Sequence, residues 1–419
     1  MKKILAVLLI FVSTATFAQE FKLSGDFRAR YEYRDGFKAP VSSDHVPASF
    51  ISQRARINMN YLNKEQNLRF GFSMQDVRTW GDESQLVDDN QLGVHEAWGE
   101  ILFTDKFSLK IGRQELVYDD SRILGNVDWA MQGRSHDLAL FKYEGDFKFH
   151  AGAAYNADGE TLGREIYNTN YKAMQFAWFN KSFSDLNVSV LFLNNGIEYS
   201  EVEVDPTAAD LGIAYSQTIG TRLTYSKDGF AANAAYYYQG GKDGANNELN
   251  AYYVAGEASY KVGKFKVLAG TEVMSGTDQD ATDGVNRSFN PFYGTNHKFN
   301  GLMDYFYVGN HANNVGLGDY YVGTAYNSGA FTTGVRAHFF SAMANLVQEG
   351  EVLDSNLGTE LDFTASYKFS DAITFQAGYS VMNASDEMLA LKATPEASST
   401  NHWGWAMVVI KPSLLHIKK

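Results

Sequence analysis

Ten arginines fall between positions 28 and 134: Arg28, Arg30, Arg34, Arg54, Arg56, Arg69, Arg78, Arg113, Arg122 and Arg134. A guanidinium is planar, stays charged, and grips a carboxylate through two parallel hydrogen bonds. A series of them suits the passage of an acidic solute. Two other groupings offer chemistry. His297 has Asn296 and Ser288 nearby and Asp304 after it, the residue types of a hydrolase, yet no short nucleophile motif surrounds any serine. Asp278, Asp280 and Asp283 form an acidic segment that suits Ca²⁺ but lacks the ordered spacing of a dedicated loop, so no cofactor is expected. The chain has no cysteine, which excludes a disulfide framework, a thiolate metal site and a cysteine nucleophile.

The elements that must hold these side chains read as strands. Phe27, Ala29, Tyr31 and Tyr33 alternate with Arg28, Arg30, Glu32 and Arg34. Ala55, Ile57, Met59 and Tyr61 alternate with Arg54, Arg56, Asn58 and Asn60, and Leu361, Phe363, Ala365, Tyr367 and Phe369 alternate with polar residues late in the chain. Period two with one apolar face is the strand pattern. These runs are roughly ten to fifteen residues long, whereas soluble strands cluster near five or six.

The connections sort into two alternating kinds. Short turns such as Asp105-Lys106, Gly145-Asp146 and Ser184-Asp185 take turns with long polar stretches such as 37–47, 119–133 and 277–317. Eight turns and nine loops join 18 strands. An even count with short turns at one rim and long loops at the other predicts an all-β fold, an 18-stranded antiparallel transmembrane barrel of the outer membrane. Closing the sheet pairs every backbone group without an edge, as lipid demands. Lys2, Lys3, the apolar run Ile4–Val12 and Thr16-Phe17-Ala18 read as a signal peptide cleaved after Ala18, leaving 19–419 as one domain. Losing two lysines takes the net charge from −13 to −15. So acidic a chain excludes nucleic acid as a partner; membrane lipid and an acidic polysaccharide or small anions remain.

Side-chain alternation assigns the faces. Parity puts Arg28, Arg30, Arg54, Arg56 and Arg69 in the lumen, the first four at mid-wall on adjacent strands. It puts Glu257, Glu272, Glu360 and Asp362 on the later strands inside, with Arg336 and His338 as basic exceptions. Glu32, Glu96 and Glu100 are the acids placed to neutralise the arginines. Tyr33, Tyr61, Trp80, Trp98 and Tyr367 near strand ends suit an interfacial aromatic girdle. The stretch 277–317 is long enough to be functional in its own right, and is expected to occlude the resting pore.

Four motifs carry a resemblance. They are Gly112-Arg113-Gln114-Glu115-Leu116, Tyr118-Asp119-Asp120-x-Arg122, Gly125-x-x-Asp128-Trp129 and Gly133-Arg134-x-x-Asp137. Together with Asn296-His297-Lys298-Phe299-x-Gly301-x-x-Asp304, they resemble the signature of the alginate-export family of outer-membrane proteins. The resemblance implies an 18-stranded barrel with an arginine-lined constriction that passes the polyuronate alginate. It implies that Arg113, Arg122, Arg134 and Asp137 are constriction residues. The expected function is a channel for alginate or another acidic glycan, with a general or anion-selective porin as the alternative and a hydrolase as the alternative of another class. The last strand, near His402–Lys411, runs on to Lys419 instead of ending in a terminal aromatic. Periplasmic partners, the direction of transport and oligomeric state have no signature in the sequence.

Overall fold

A computed structural model describes residues 19–86, 92–167, 169–202, 210–311 and 314–418. Residues 1–18, the expected signal peptide, lie outside the described residues.

The strands in chain order are β1 (Glu20–Asp35), β2 (Ala48–Leu62), β3 (Leu68–Thr79), β4 (Leu92–Leu102), β5 (Phe107–Gln114) and β6 (His136–Glu144). Next come β7 (Lys148–Tyr155), β8 (Ala173–Phe183), β9 (Leu186–Ser200), β10 (Leu211–Lys227), β11 (Phe230–Lys242) and β12 (Glu248–Val262). The last are β13 (Phe265–Met274), β14 (Leu317–Ser328), β15 (Phe331–Ser341), β16 (Asn356–Lys368), β17 (Ile373–Ala384) and β18 (Thr400–Ile410). Ser413–Lys418 continues β18 beyond Pro412, whose missing N–H interrupts the ladder. Each strand pairs antiparallel with its neighbour, and β1 closes the ring by pairing β18 from Phe27↔Ile410 to Asp35↔His402. The result is the 18-stranded closed barrel that loop sorting predicts. Both ends of the described chain lie at the short-turn rim.

The alternation holds along the wall. In β1, Asp26, Arg28, Arg30 and Glu32 are buried inward, while Tyr31 is exposed outward. In β2, Arg54 and Arg56 are buried and Ile57 is exposed. Phe70, Phe141, Val190, Tyr236, Val254, Val322 and Phe363 are among the large apolar side chains left exposed on the outer surface, where lipid covers them. Trp80 and Tyr367 are likewise exposed at strand ends. Trp98 is a correction to the girdle. It follows the inward parity of Glu96 and Glu100, lies flat over Gly71 where any Cβ would collide with its ring, and carries Lys110 Nζ 3.9 Å above the ring centroid. A register shift in the β3–β4 ladder between Ser73 and Met74 inserts His95 and turns both His95 and Glu96 inward.

The lumen is not an open cylinder. Two connections, 115–135 and 275–316, fold into it and pair with each other. Gly125 N donates to Tyr293 O at 2.9 Å, Thr295 N to Ser121 O at 2.8 Å and Val127 N to Thr295 Oγ1 at 3.0 Å. Leu116, Ile123, Leu124, Met303 and Tyr305 from these loops join Tyr237, Tyr253, Phe340 and Trp403 from the wall in one buried cluster. The expectation that 277–317 enters the pore agrees with this placement. The loop 115–135, which carries the Arg122 and Arg134 that the resemblance implies for the constriction, takes an equal share of the lumen.

Candidate functional site

The four mid-wall arginines stand side by side, because β1 and β2 pair with Arg28 opposite Arg54 and Asp26 opposite Arg56. Their charges are engaged. Asp26 takes Arg28 Nε at 3.0 Å and Arg54 Nη2 at 2.7 Å. Buried Glu32 takes Arg30 Nε at 2.9 Å, Arg34 Nε at 3.0 Å and Trp403 Nε1 at 3.0 Å. Arg56 donates to Gln75 Oε1 at 2.9 Å and lies 3.5 Å from Glu115.

Further guanidinium hydrogens reach the backbone of the inner loop 115–135, while the buried Arg54 Nε has no partner among the described residues. Arg28 donates to Asp128 O at 3.0 Å, Arg30 to Trp129 O at 2.7 Å, Arg54 to Met131 O at 3.3 Å and Arg56 to Gln132 O at 3.4 Å. The Asp128 carboxylate bridges Arg28 and Arg54 at 3.0 and 3.1 Å. Burial alone would raise the Asp128 pKa, but the two arginines outweigh it and hold it below the usual carboxylate range. Of the acids proposed from sequence, Glu32 does neutralise part of the wall. Glu100 serves Arg69 at 3.5 Å near the short-turn mouth, and Glu96 accepts the Glu115 amide instead. Asp26, Asp128 and Glu115 are the acids that sequence reasoning missed.

Arg122 is fully buried between the two inner loops and β13. Its Nη2 lies 2.8 Å from Asn300 Oδ1 and 3.1 Å from Glu272 Oε2, with the Phe299 ring 4.5 Å away. Arg134 donates to Gly294 O at 3.2 Å and lies over Tyr293, with no carboxylate within salt-bridge reach among the described residues. Arg336 on β15 lies over the ring of Tyr321 on the neighbouring strand β14, 5.0 Å from its centroid, likewise without such a partner among the described residues. Arg113 and Asp137 correct the expectation drawn from the resemblance. They pair at 2.8 Å at the long-loop ends of β5 and β6, on the parity of exposed Ile111, with side chains 43% and 61% exposed. They are separate from the arginine cluster because Gly112 and Gln114, not Arg113, follow the inward parity of β5.

The free space divides around the inner loops. A cavity of about 360 Å³ opens towards the long-loop rim, walled by Arg30, Arg34, Arg78 and Lys38 and floored by Trp129, Met131, His297 and Tyr307. Below the loops, one of about 190 Å³ is lined by Lys298, Arg336, His338 and Asp362. Another of about 550 Å³ lies near the short-turn rim, with Asn187, Arg222, Asn233, Glu257 and Lys266. The turn Asn296–Lys298 is the partition: His297 faces the upper cavity and Lys298 the lower. Gly301 follows it at φ 81°, where a Cβ would strike the Glu360 carboxylate that accepts Met303 N at 2.8 Å. Lys38 and Lys298, unforeseen from sequence, contact aromatic rings and have no carboxylate partner among the described residues.

The hydrolase residues are not assembled. Ser288 Oγ donates to Asn314 O, while His297 Nδ1 lies 2.8 Å from Asp304 and its ring stacks on Trp129 at 4.2 Å. The acidic loop is engaged in docking: Asp278 accepts Asn345 N at 2.7 Å, and Asp283 accepts Arg287 Nη2 at 2.6 Å. Among the described residues no group of three or more acidic or histidine side chains is arranged to hold a metal.

Several solved outer-membrane proteins of Pseudomonas aeruginosa share the fold. OccK3 (OpdO) superposes with TM-score 0.62 at 13% identity, covering 94% of this chain and 96% of its own. OpdK, solved with vanillate, gives 0.60 at 12%, covering 94% and 98%, and OccK9 (OpdG) gives 0.62 at 11%, covering 95% and 98%. No curated protein matches the sequence. The family described as Alginate export matches residues 19–404, nearly the whole described barrel, and the chain belongs to this family of outer-membrane channels.

Proposed function

We propose that the channel conducts carboxylate-bearing saccharides across the outer membrane, with the leader 1–18 removed and 19–419 acting as one domain. Short uronates fit the resting lumen. A polyuronate such as alginate, or another acidic glycan, requires the inner loops to withdraw. The observation that carries this reading is a set of lumen cations without carboxylate partners among the described residues: Lys38 and Arg134 above the partition, Lys298 and Arg336 below it, and Lys110 over the inward Trp98 ring. The arginine wall is largely neutralised by its own acids, so these unpaired cations weigh most on the field in the narrow lumen, where low-dielectric walls focus it. The acidic net charge of the chain resides partly on loops and outer surface and does not oppose this.

A second reading, an anion-selective porin for small carboxylates, is favoured by cavities of about 190 to 550 Å³, too small for a polymer in the resting state. Ion selectivity in planar bilayers tests both. In low salt the reversal potential should show anion preference, reduced by Lys38→Met with Arg134→Met and fading towards 1 M salt, where screening shortens to about 3 Å. Hexagalacturonate should block the current if saccharides are the cargo, and galacturonate alone if only small carboxylates are. Cation preference of the unmodified channel in low salt refutes both readings.

A further inference from the structure

We infer that Asp128 is a built-in stand-in for a substrate carboxylate, and that an acidic saccharide opens the lumen by exchanging with the inner loop on Arg28, Arg30, Arg54 and Arg56. This rests on the proposed function for the class of ligand and adds how that ligand gains passage.

Consecutive carbonyls along one stretch of backbone, those of Asp128 and Trp129 and then Met131 and Gln132, meet two rows of guanidinium groups on β1 and β2. Arg28 and Arg30 are two residues apart, roughly 7 Å along the strand. Gln75 Nε2 adds a bond to Gln132 O at 2.9 Å. The loop therefore presents the wall with a row of carbonyl acceptors and two carboxylates, Asp128 on Arg28 and Arg54 and Glu115 3.5 Å from Arg56. Asp128 is the least buried member of the cluster, its side chain 47% exposed against 0% for Arg54 and 8% for Arg28. The upper cavity is lined by Arg30 and by Trp129, Ala130, Met131 and Gln132 but not by Asp128, so a carboxylate entering there meets Arg30 and the loop backbone, and Asp128 is the member of the cluster left open beside them.

The exchange is electrostatically directed. Four of the loop's contacts run from a charged guanidinium to a neutral carbonyl, and a polyuronate replaces the neutral acceptor with an ionised carboxylate that the fork can hold through two parallel hydrogen bonds. A neutral saccharide offers no such gain. A single carboxylate replaces only Asp128, so several linked ones are needed to displace the loop. These arginines thus act as positioning residues for the loop at rest and as ligands once it leaves. The step is one of non-covalent exchange, with no change in protonation.

The chain has no cysteine, so a single one introduced for labelling is unique. A nitroxide at Gln132→Cys, on an exposed loop position, reports loop mobility in the full-length protein in detergent. Hexagalacturonate should mobilise the label and maltohexaose should not. Asp128→Asn should lower the half-effective hexagalacturonate concentration by roughly tenfold, the scale of one charge-assisted contact. Arg54→Lys, which keeps the charge but loses the fork, should leave the label partly mobile without ligand. A label at Ala130→Cys answers the same question if the first site disturbs its own loop. If hexagalacturonate blocks the current while both labels stay immobile, or if Asp128→Asn leaves the half-effect unchanged, the exchange is refuted and the channel reading stands. If hexagalacturonate neither blocks nor mobilises, both are refuted.

Discussion

Replacing Arg122 tests whether the inner loops are held by a buried charge pair that the barrel itself does not need. Arg122 comes from the loop 115–135, Glu272 from β13, and Asn300 from the loop 275–316, so one guanidinium ties both loops to the wall. Its side chain is 2% exposed and that of Glu272 9%. Arg122→Met keeps most of the volume and strands the Glu272 carboxylate without a cation in a water-poor site. Removing one partner of a buried pair costs about 3–5 kcal/mol. At about 1.4 kcal/mol per tenfold, the ratio of docked to released loop falls by roughly two to three and a half orders of magnitude. Barrel closure, carried by the ladders from β1 round to β18, is untouched. Hydrogen exchange read by mass spectrometry should therefore show peptides across 290–304 losing protection while strand peptides keep theirs, with heat-modifiable gel migration preserved. Adding Glu272→Gln removes the stranded charge and should restore most of the protection. The reasoning is refuted if Arg122→Met leaves exchange at 290–304 unchanged, or if the double variant is as unprotected as the single one.

Two further outcomes follow from named groups. His311 is buried, donates from Nε2 to Gly316 O at 2.9 Å and leaves Nδ1 without a partner; burial, with Lys392 adding to it, pushes its pKa down to about 4. A released loop takes up this proton near 6.5 and a docked one only near 4, so docking should weaken as pH falls through that window, by about 3 kcal/mol in total, and level off below it. His311→Gln should flatten the dependence, and loss of exchange protection at 302–311 that begins only below pH 4 in the unmodified protein would contradict the assignment. Arg113→Ala or Asp137→Ala removes an exposed outer pair worth less than about 1 kcal/mol, so thermal stability and ion selectivity should stay as they were; a changed reversal potential would return these residues to the permeation path.

Much of the wall is legible in the sequence because a strand has only two faces, and Arg28, Arg30, Arg54 and Arg56 declare theirs through Ala29, Tyr31, Ala55 and Ile57 between them. The same parity misplaces Trp98 only when an aromatic near a strand end is read as a girdle residue without counting from Glu96 and Glu100. Parity stops at the last paired residue. Arg122 and Arg134 lie beyond it, and their burial depends on where two loops meet. The partners of the arginine wall were hidden for a different reason. Four of them are backbone carbonyls, which every residue possesses, so no residue type in 128–132 marks them. Asp128 does carry a side-chain signal, yet its pairing across 100 residues to Arg28 needs the loop's path. Gly112-Arg113 shows the opposite limit: a motif fixes residue types, and a strand's alternation then decides which of them points inward.

The charge pattern also bears on why the wall uses arginine. A lysine at position 54 would match the charge of Asp26 and Asp128 but supply one ammonium where the present side chain reaches Asp26, Asp128 and Met131 O together. With both acids served, Arg54 presents little net charge to a passing ion; both of its terminal nitrogens are bonded, and only the buried Nε has no partner among the described residues. An open pore lined by such a pair-neutral wall would discriminate weakly. Discrimination must then come from cations without a carboxylate partner among the described residues, Lys38, Lys110, Arg134, Lys298 and Arg336, and from a loop that yields to carboxylates in series. Selectivity for small ions and selectivity for acidic saccharides are therefore separable in this barrel: the first rests on the unpaired cations, the second on the paired arginines of β1 and β2.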